Sequence, residues 1–598
     1  MAANGPTTGA NRPGASEIGP PLTISSVSPF VDRLRLVRLM AERGALKLCA
    51  TLNRPLLKLG QWRSRQPERL LIAPQDIRTG DPTIAADIYA GYYAFGGKIV
   101  NAHGRSPFSL DPPSPEWARV LNGFGWLRHL RAADTALARA NARSLVKEFI
   151  AASGKPSAHP AWEPAVVARR TLSWLSQSPM LLEGVDFDDY RRFIRVLTRG
   201  YWLLRRQAKD SLAGEMQLTA AIAMTAFALC AQGGAPLLKC AVSALNEQLR
   251  KQILPDGGPI GRNPQKLVDL LFDLLPLRQA FAARGQSPPP ELLNAIDRMT
   301  PALRMFRHGD GSLALFNGMG VTAPDRVAIA LSYEDTRGQP TFNARCSGYQ
   351  RLEAGDALVV VDTGLPPPPL FSSAAHAGCL SFEFSLGLER IVVNCGNPGP
   401  QRPDLRASAR TTAAHSTLTI NDVSSCFFSA QTGVQNWFDD EILSGPTQVP
   451  LAREENAEGS TVRVSHDGYQ RRFSLIHERG LTLRADGRRL QGQDRLIAVG
   501  GAEMRDVKYA IRFHIHPSVV LTPVWEGSGV LLQTAAGESL IFEAGGLPVD
   551  VEESIFFAAP EGPRACEQIV VYGAAADIDE ISWSFSIRTP QAADKNHP

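Results

Sequence analysis

The stretch Ser372-Ser373-Ala374-Ala375-His376-Ala377-Gly378-Cys379-Leu380-Ser381-Phe382-Glu383-Phe384 ends in the period-two alternation of a strand. The same character continues through Arg390-Ile391-Val392-Val393 and Ser416-Thr417-Leu418-Thr419-Ile420. It carries His376 and then His415, two of only eleven histidines in the chain. Both lie beside strand-like segments of one domain, so their rings can converge.

Working outward, the period changes near Asp310. Upstream, helical spacing predicts helices over 117–131, 132–152, 163–177, 186–206, 212–232, 236–251, 264–283 and 289–304, filled with Ala and Leu. Breaks at Gly154, Pro179, Gly233-Gly234 and Gly257-Gly258 make neighbours antiparallel. The segment from Leu70 to Phe95 reads as strand-like pieces. Downstream, short strands joined by Gly, Asp and Asn turns, with no helices between them, predict a large antiparallel β-sandwich. The fold class is multidomain α+β. A flexible tail (1–28) precedes a helical domain (29–305) and a sandwich (306–592).

With 598 residues, 44% of them hydrophobic, the chain has ample core for two large domains. A formal charge of +4 gives no reason to propose a nucleic-acid partner. Eight cysteines without a CxxC pair argue against zinc ribbons and iron–sulfur sites. The polar N-terminus shows no signal-peptide pattern, and the longest apolar run, Leu218 to Cys230, is too short to span a bilayer. The expected location is the cytoplasm, with the periplasm or cell envelope as the alternative. Oligomeric state is left open, a homodimer among the options.

Asp310-Gly311-Ser312-Leu313-Ala314-Leu315-Phe316-Asn317-Gly318, the two histidine segments and the Asp256-Gly257-Gly258 turn together resemble the heparinase II/III family. That resemblance implies an α/α toroid followed by an antiparallel sandwich. It also implies a polysaccharide lyase acting by β-elimination on a uronate. In such a lyase polar groups neutralise the carboxylate, and a Tyr or His takes the C5 proton. Several family positions are changed. Ala374 stands where a His is usual, Gly378 where an Asp is usual, and Lys266 where the catalytic Tyr is usual. Gly214-Glu215 replaces an Asn-His pair. The family's zinc-binding set of His, Asp and His maps to His376, Asn394 and His415; no cofactor is required, and a structural zinc is the possible addition.

These readings make His376, His415 and Lys266 the candidate catalytic residues. Lys266 either binds a sugar carboxylate or, with its pKa lowered by desolvation, acts as a base. Arg262, Asn263, Glu215, Tyr349 and His308 are candidates for substrate binding. The competing readings are a solvated helix face for Arg262, Asn263 and Lys266, a linker turn for His308 and inter-domain packing for Tyr349. The expected function is β-elimination of a uronate-containing polysaccharide or oligosaccharide. The alternatives are an acidic-glycan-binding or envelope-assembly protein without chemistry, or a glycoside hydrolase.

Overall fold

The computed structural model describes residues 37–45, 48 and 67–588, apart from 156–158, 211–213, 334–337, 430–439, 502–505 and 578–579. The tail expected over 1–28 lies outside them.

Helix starts follow local chemistry. Ser114 caps Pro115–Gly123 and Asn263 caps Pro264–Ala283, each with its side-chain oxygen on a free amide and with Pro at the first helical position. Met216–Cys230 sits at the centre. It packs against Pro164–Ser176, Phe187–Asp210, Ala235–Gln252 and Pro264–Ala283, which explains why Leu218 to Cys230 is apolar all round.

Three local expectations need correction. The helix expected over 117–131 is two, Pro115–Gly123 and Leu127–Ala133, because Phe124 turns left-handed at φ 57°. Part of the strand-like segment before Phe95 is a helix, Pro82–Tyr89, started by Asp81 and Pro82. A further helix, Pro324–Ser332, follows the change of period and packs back on Pro264–Ala283.

The β domain contains two large antiparallel sheets. One has eight strands and runs from Leu451–Asn456 at one edge to Val520–Val524 at the other. The second has nine strands and holds Tyr349–Ala354, Ala357–Asp362, Phe382–Leu386, Glu389–Val393 and Lys508–Ile515. Strand Ala357–Asp362 is buried on both faces. Val359 and Val361 join the core between the sheets, while Leu358 and Val360 join the core of the helices. An uninterrupted Leu-Val-Val-Val run is what such a position demands. The helical core continues through Leu313, Phe316 and Tyr349 onto this sheet, so the two halves share apolar packing. All seven described cysteines are free.

Candidate active site at the joint between the helices and the sandwich

His376 lies in the loop between strands Ala357–Asp362 and Phe382–Leu386, and His415 follows the short 3-10 turn Thr412–Ala414. Their rings meet edge to face, with His376 Nδ1 3.1 Å from His415 Nε2. His415 Nδ1 lies 2.7 Å from the Thr411 carbonyl. A carbonyl only accepts, so His415 carries its proton on Nδ1, and its Nε2 lone pair accepts from Nδ1–H of His376. The remaining lone pair is on His376 Nε2, for which the described residues supply no partner. Both rings are buried. Burial pushes His415 down to about 4. Burial, then His415, Arg410 and Arg406, hold His376 well below the ordinary histidine range. Both imidazoles are therefore neutral at pH 7, the form that can accept a proton.

The backbone around the pair is tightly braced. Arg410 donates to the carbonyls of Ala375 and Ser372 and stacks on Phe428 at 4.4 Å. Arg479 reaches from the opposite sheet to the carbonyls of Leu380 and Ser416, while Asp494 binds it through both oxygens. At Gly318 (φ 88°) an added Cβ would stand 2.3 Å from the Ala374 carbonyl, and at Gly378 one would stand 2.7 Å from His415 Cδ2. The His415 ring thus fills the space that a side chain at 378 would need. Sequence reading did not single out Arg410, Arg479 or Asn317. Asn317, quoted with Gly318 but given no role there, places its Oδ1 3.4 Å from the His376 amide.

Glu215 and Lys266 come together on the helical side, with Nζ 2.7 Å from Oε2 and both side chains about one-third exposed. Burial by itself would lower the Lys266 pKa. Glu215 and then Asp269 outweigh it and raise the group above its ordinary value. Lys266 is an ammonium, which corrects its expected role as a base. The rim carrying this pair abuts the loop before His376: a Cβ at Gly214 would meet the Leu370 carbonyl at 2.2 Å, and one at Gly261 would meet Glu215 at 2.8 Å and the Phe371 carbonyl at 3.3 Å.

The other candidates belong to the joint, and their substrate-binding assignment is corrected. Arg262 spends its guanidinium on the carbonyls of Ser347, Gly348, Gly364 and Leu365 and on Asp362 at 2.5 Å. It also stacks on Tyr349 at 4.6 Å. The Tyr349 hydroxyl donates to the Arg262 carbonyl and accepts from Asn317, both at 2.7 Å. Asn263 caps its helix by accepting from the Gln265 amide. His308 is bound by Glu383 at 3.0 Å and Ser385 at 2.9 Å. Each is buried.

Asn394 is likewise committed. Its amide nitrogen donates to Glu383 and its oxygen accepts from the Ser416 amide. Of the expected metal set His376, Asn394 and His415, the two imidazoles present nitrogens 3.1 Å apart, while Asn394 has both ends of its amide engaged by Glu383 and Ser416 and is not free as a third ligand. Among the described residues no group of three or more His, Cys, Asp or Glu is arranged to hold a metal ion.

The sequence profile "Heparinase II/III-like, C-terminal" matches residues 336–584, which include both histidines and most of both sheets. FtsZ-localized protein C of Caulobacter vibrioides is 32% identical over 483 residues, covering 78% of this chain and 81% of that protein. The chain belongs to the heparinase II/III-like family. The crystal structure of heparinase III superposes with a TM-score of 0.67 at 12% identity, over 91% of each chain. A mutant of the heparan sulfate lyase HepC from Pedobacter heparinus gives 0.61 at 14% identity, over 94% of this chain and 91% of that one. At such identities they establish a shared fold, helical domain first and antiparallel sheets second. Among the candidate residues, Lys266–Glu215 and His376–His415 are the pairs whose functional atoms are not committed to the joint.

Proposed function

We propose that this protein recognises a uronate-containing glycan at the joint and cleaves it by β-elimination. The observation that carries the reading is the His376–His415–Thr411 chain of hydrogen bonds, which leaves a lone pair on His376 Nε2. Family membership gives the coarser frame, a polysaccharide lyase-like protein with an acidic polysaccharide as substrate class.

In this reading the Lys266 ammonium pairs with the uronate carboxylate, so that negative charge developing towards it from C5 is stabilised. His376 Nε2 takes the C5 proton, the C4–oxygen bond breaks, and a double bond forms between C4 and C5. The departing oxygen needs a proton, and the imidazolium just formed at His376 supplies it. Burial makes that imidazolium a ready acid and makes the neutral ring a weak base. The charge of the bound carboxylate offsets the second effect by favouring the protonated ring. The test is a time course on heparan sulfate, alginate and acidic exopolysaccharides, following near-ultraviolet absorbance and reducing ends together. Both should rise, and both should be lost in His376→Gln. New reducing ends without absorbance would reject elimination in favour of hydrolysis.

A second reading is an acidic-glycan-binding envelope-assembly protein on the same scaffold. Two observations favour it: Lys266 occupies the place of the family tyrosine, and a 32%-identical relative is named as FtsZ-localized. A fluorescent fusion that gathers at the division site, with glycan binding and no product, would select it. That reading places the protein at the envelope, whereas soluble glycan fragments as substrate fit the cytoplasm.

A further inference from the structure

A groove in the helical half, lined by none of the candidate site residues, runs between Ala136–Ser153, the short helix Ser178–Leu182 and the first half of Phe187–Asp210, and encloses about 570 Å³. Its floor is apolar. Half-buried Ile150, Leu182 and Val185 lie over buried Val146, Leu181 and Phe193. Its rim is basic. Arg143, Lys147, Lys155, Arg192, Arg195 and Arg199 line it against the single carboxylate of Asp189.

That carboxylate is shared by Lys147 and by Arg192 at 3.0 Å. Arg199 places one nitrogen on the Gly154 carbonyl at 2.6 Å. Among the described residues no carboxylate pairs with Lys155 or Arg195. Burial, and after it the neighbouring Arg195, lower the pKa of Arg199. Six cations around a greasy trough are costly to maintain unless something negative and apolar lies in it.

We infer that this groove docks a short acidic segment of a partner protein, laid in as an amphipathic helix with apolar side chains on the floor and carboxylates towards the rim. The lining residues from Arg143 to Gly154 lie eleven steps apart along the chain, about 16 Å at 1.5 Å per residue. That length holds about three turns of a docked helix. The chain's own residues 1–36 do not fit the charge, since they carry Glu17 and Asp32 against Arg12, Arg33 and Arg35. A flat bilayer fits less well than a helix, because the apolar residues lie below the cations instead of projecting past them.

The experiment uses the full chain and a fluorescently labelled amphipathic peptide of about twelve residues, Leu on one face and Glu on the other. A control peptide has Lys in place of Glu. Phosphatidylglycerol vesicles and sedimentation of the protein alone complete the set. The acidic peptide should bind and weaken with salt, and the Lys peptide should not bind. Arg195→Glu should reduce affinity about tenfold or more with thermal unfolding unchanged, and Leu182→Asp should separately reduce it about tenfold or more. Failure of the acidic peptide to bind, or binding indifferent to both substitutions, would overturn the proposal. Vesicle binding without peptide binding, or a dimer dissociated by Arg195→Glu, would assign the groove to a membrane or a second copy and overturn it as well.

Discussion

His376 owes its proposed chemistry to a hydrogen-bond direction. Because the Thr411 carbonyl fixes the proton of His415 on Nδ1, His376 must donate from Nδ1 and keep its Nε2 lone pair. His376→Gln should therefore lower turnover by about 10² to 10⁴, the usual worth of a positioned base, while circular dichroism and thermal unfolding stay near wild type. A loss of turnover accompanied by unfolding would reduce His376 to a structural role. Gly378→Ala tests the neighbour. Its Cβ would stand 2.7 Å from the His415 ring, so the ring must shift, at a cost of about 1–3 kcal/mol as for other overpacked sites. An unchanged unfolding midpoint would show that the ring is not fixed there. The pairing of His376 with His415 was legible from their places beside strands of one domain. The commitments of Arg262, Tyr349 and His308 were not, since a polar side chain after a turn looks the same in sequence whether it lines a cleft or fills a joint. Register decides it: Tyr349 pairs across from Asp362, which puts its ring under Arg262.

Among the elements, the turn before helix Pro264–Ala283 joins the helical half to the loop that leads to His376. Arg262, at φ 60°, is its rivet, binding four carbonyls and Asp362 while the next residue caps the helix. Arg262→Met would strand the Asp362 carboxylate in a buried setting, which costs about 3–5 kcal/mol in comparable pairs. Adding Asp362→Asn should recover part of that loss, and equal unfolding midpoints for the single and double variants would show that the pair is not coupled. The helix itself was legible from Asn263, Pro264 and its apolar spacing. The break at Phe124 was missed although Asn122-Gly123 and Gly125 flank it with turn signals. Helix Pro82–Tyr89 was overlooked although Asp81-Pro82 is a helix-start signature. Trp117 and Trp126 are buried against Phe95 and offer no face to a sugar.

At the scale of the whole molecule, the chain holds neutral histidines in both halves, buried at His129, His415 and His514 and half-buried at His516: His129 and His415 are held down to about 4, His514 and His516 to about 3, chiefly by desolvation. A native pKa below the unfolded value of about 6.5 means that the unfolded chain binds protons first as the solution is acidified. Stability from these groups is full above about pH 6.5 and falls as pH drops towards about 4 for His129 and His415 and about 3 for His514 and His516, each group contributing about 1.4 kcal/mol per pH unit. The thermal midpoint should fall steadily below about pH 6.5 down to about pH 5, and a flat profile would contradict the neutral assignment. The two-domain order was legible in the change of period near Asp310. The shared core was not, because Leu358 and Val360 face the helices while Val359 and Val361 face the other sheet, and one apolar run hides both duties. The most direct test of the account is nuclear magnetic resonance of a uronate glycan incubated with the protein in deuterated water. The account predicts unsaturated 4,5-uronate signals from the wild type, and neither these signals nor deuterium at C5 with His376→Gln. A glycan that binds the wild-type protein yet shows neither deuterium at C5 nor an unsaturated product would contradict it.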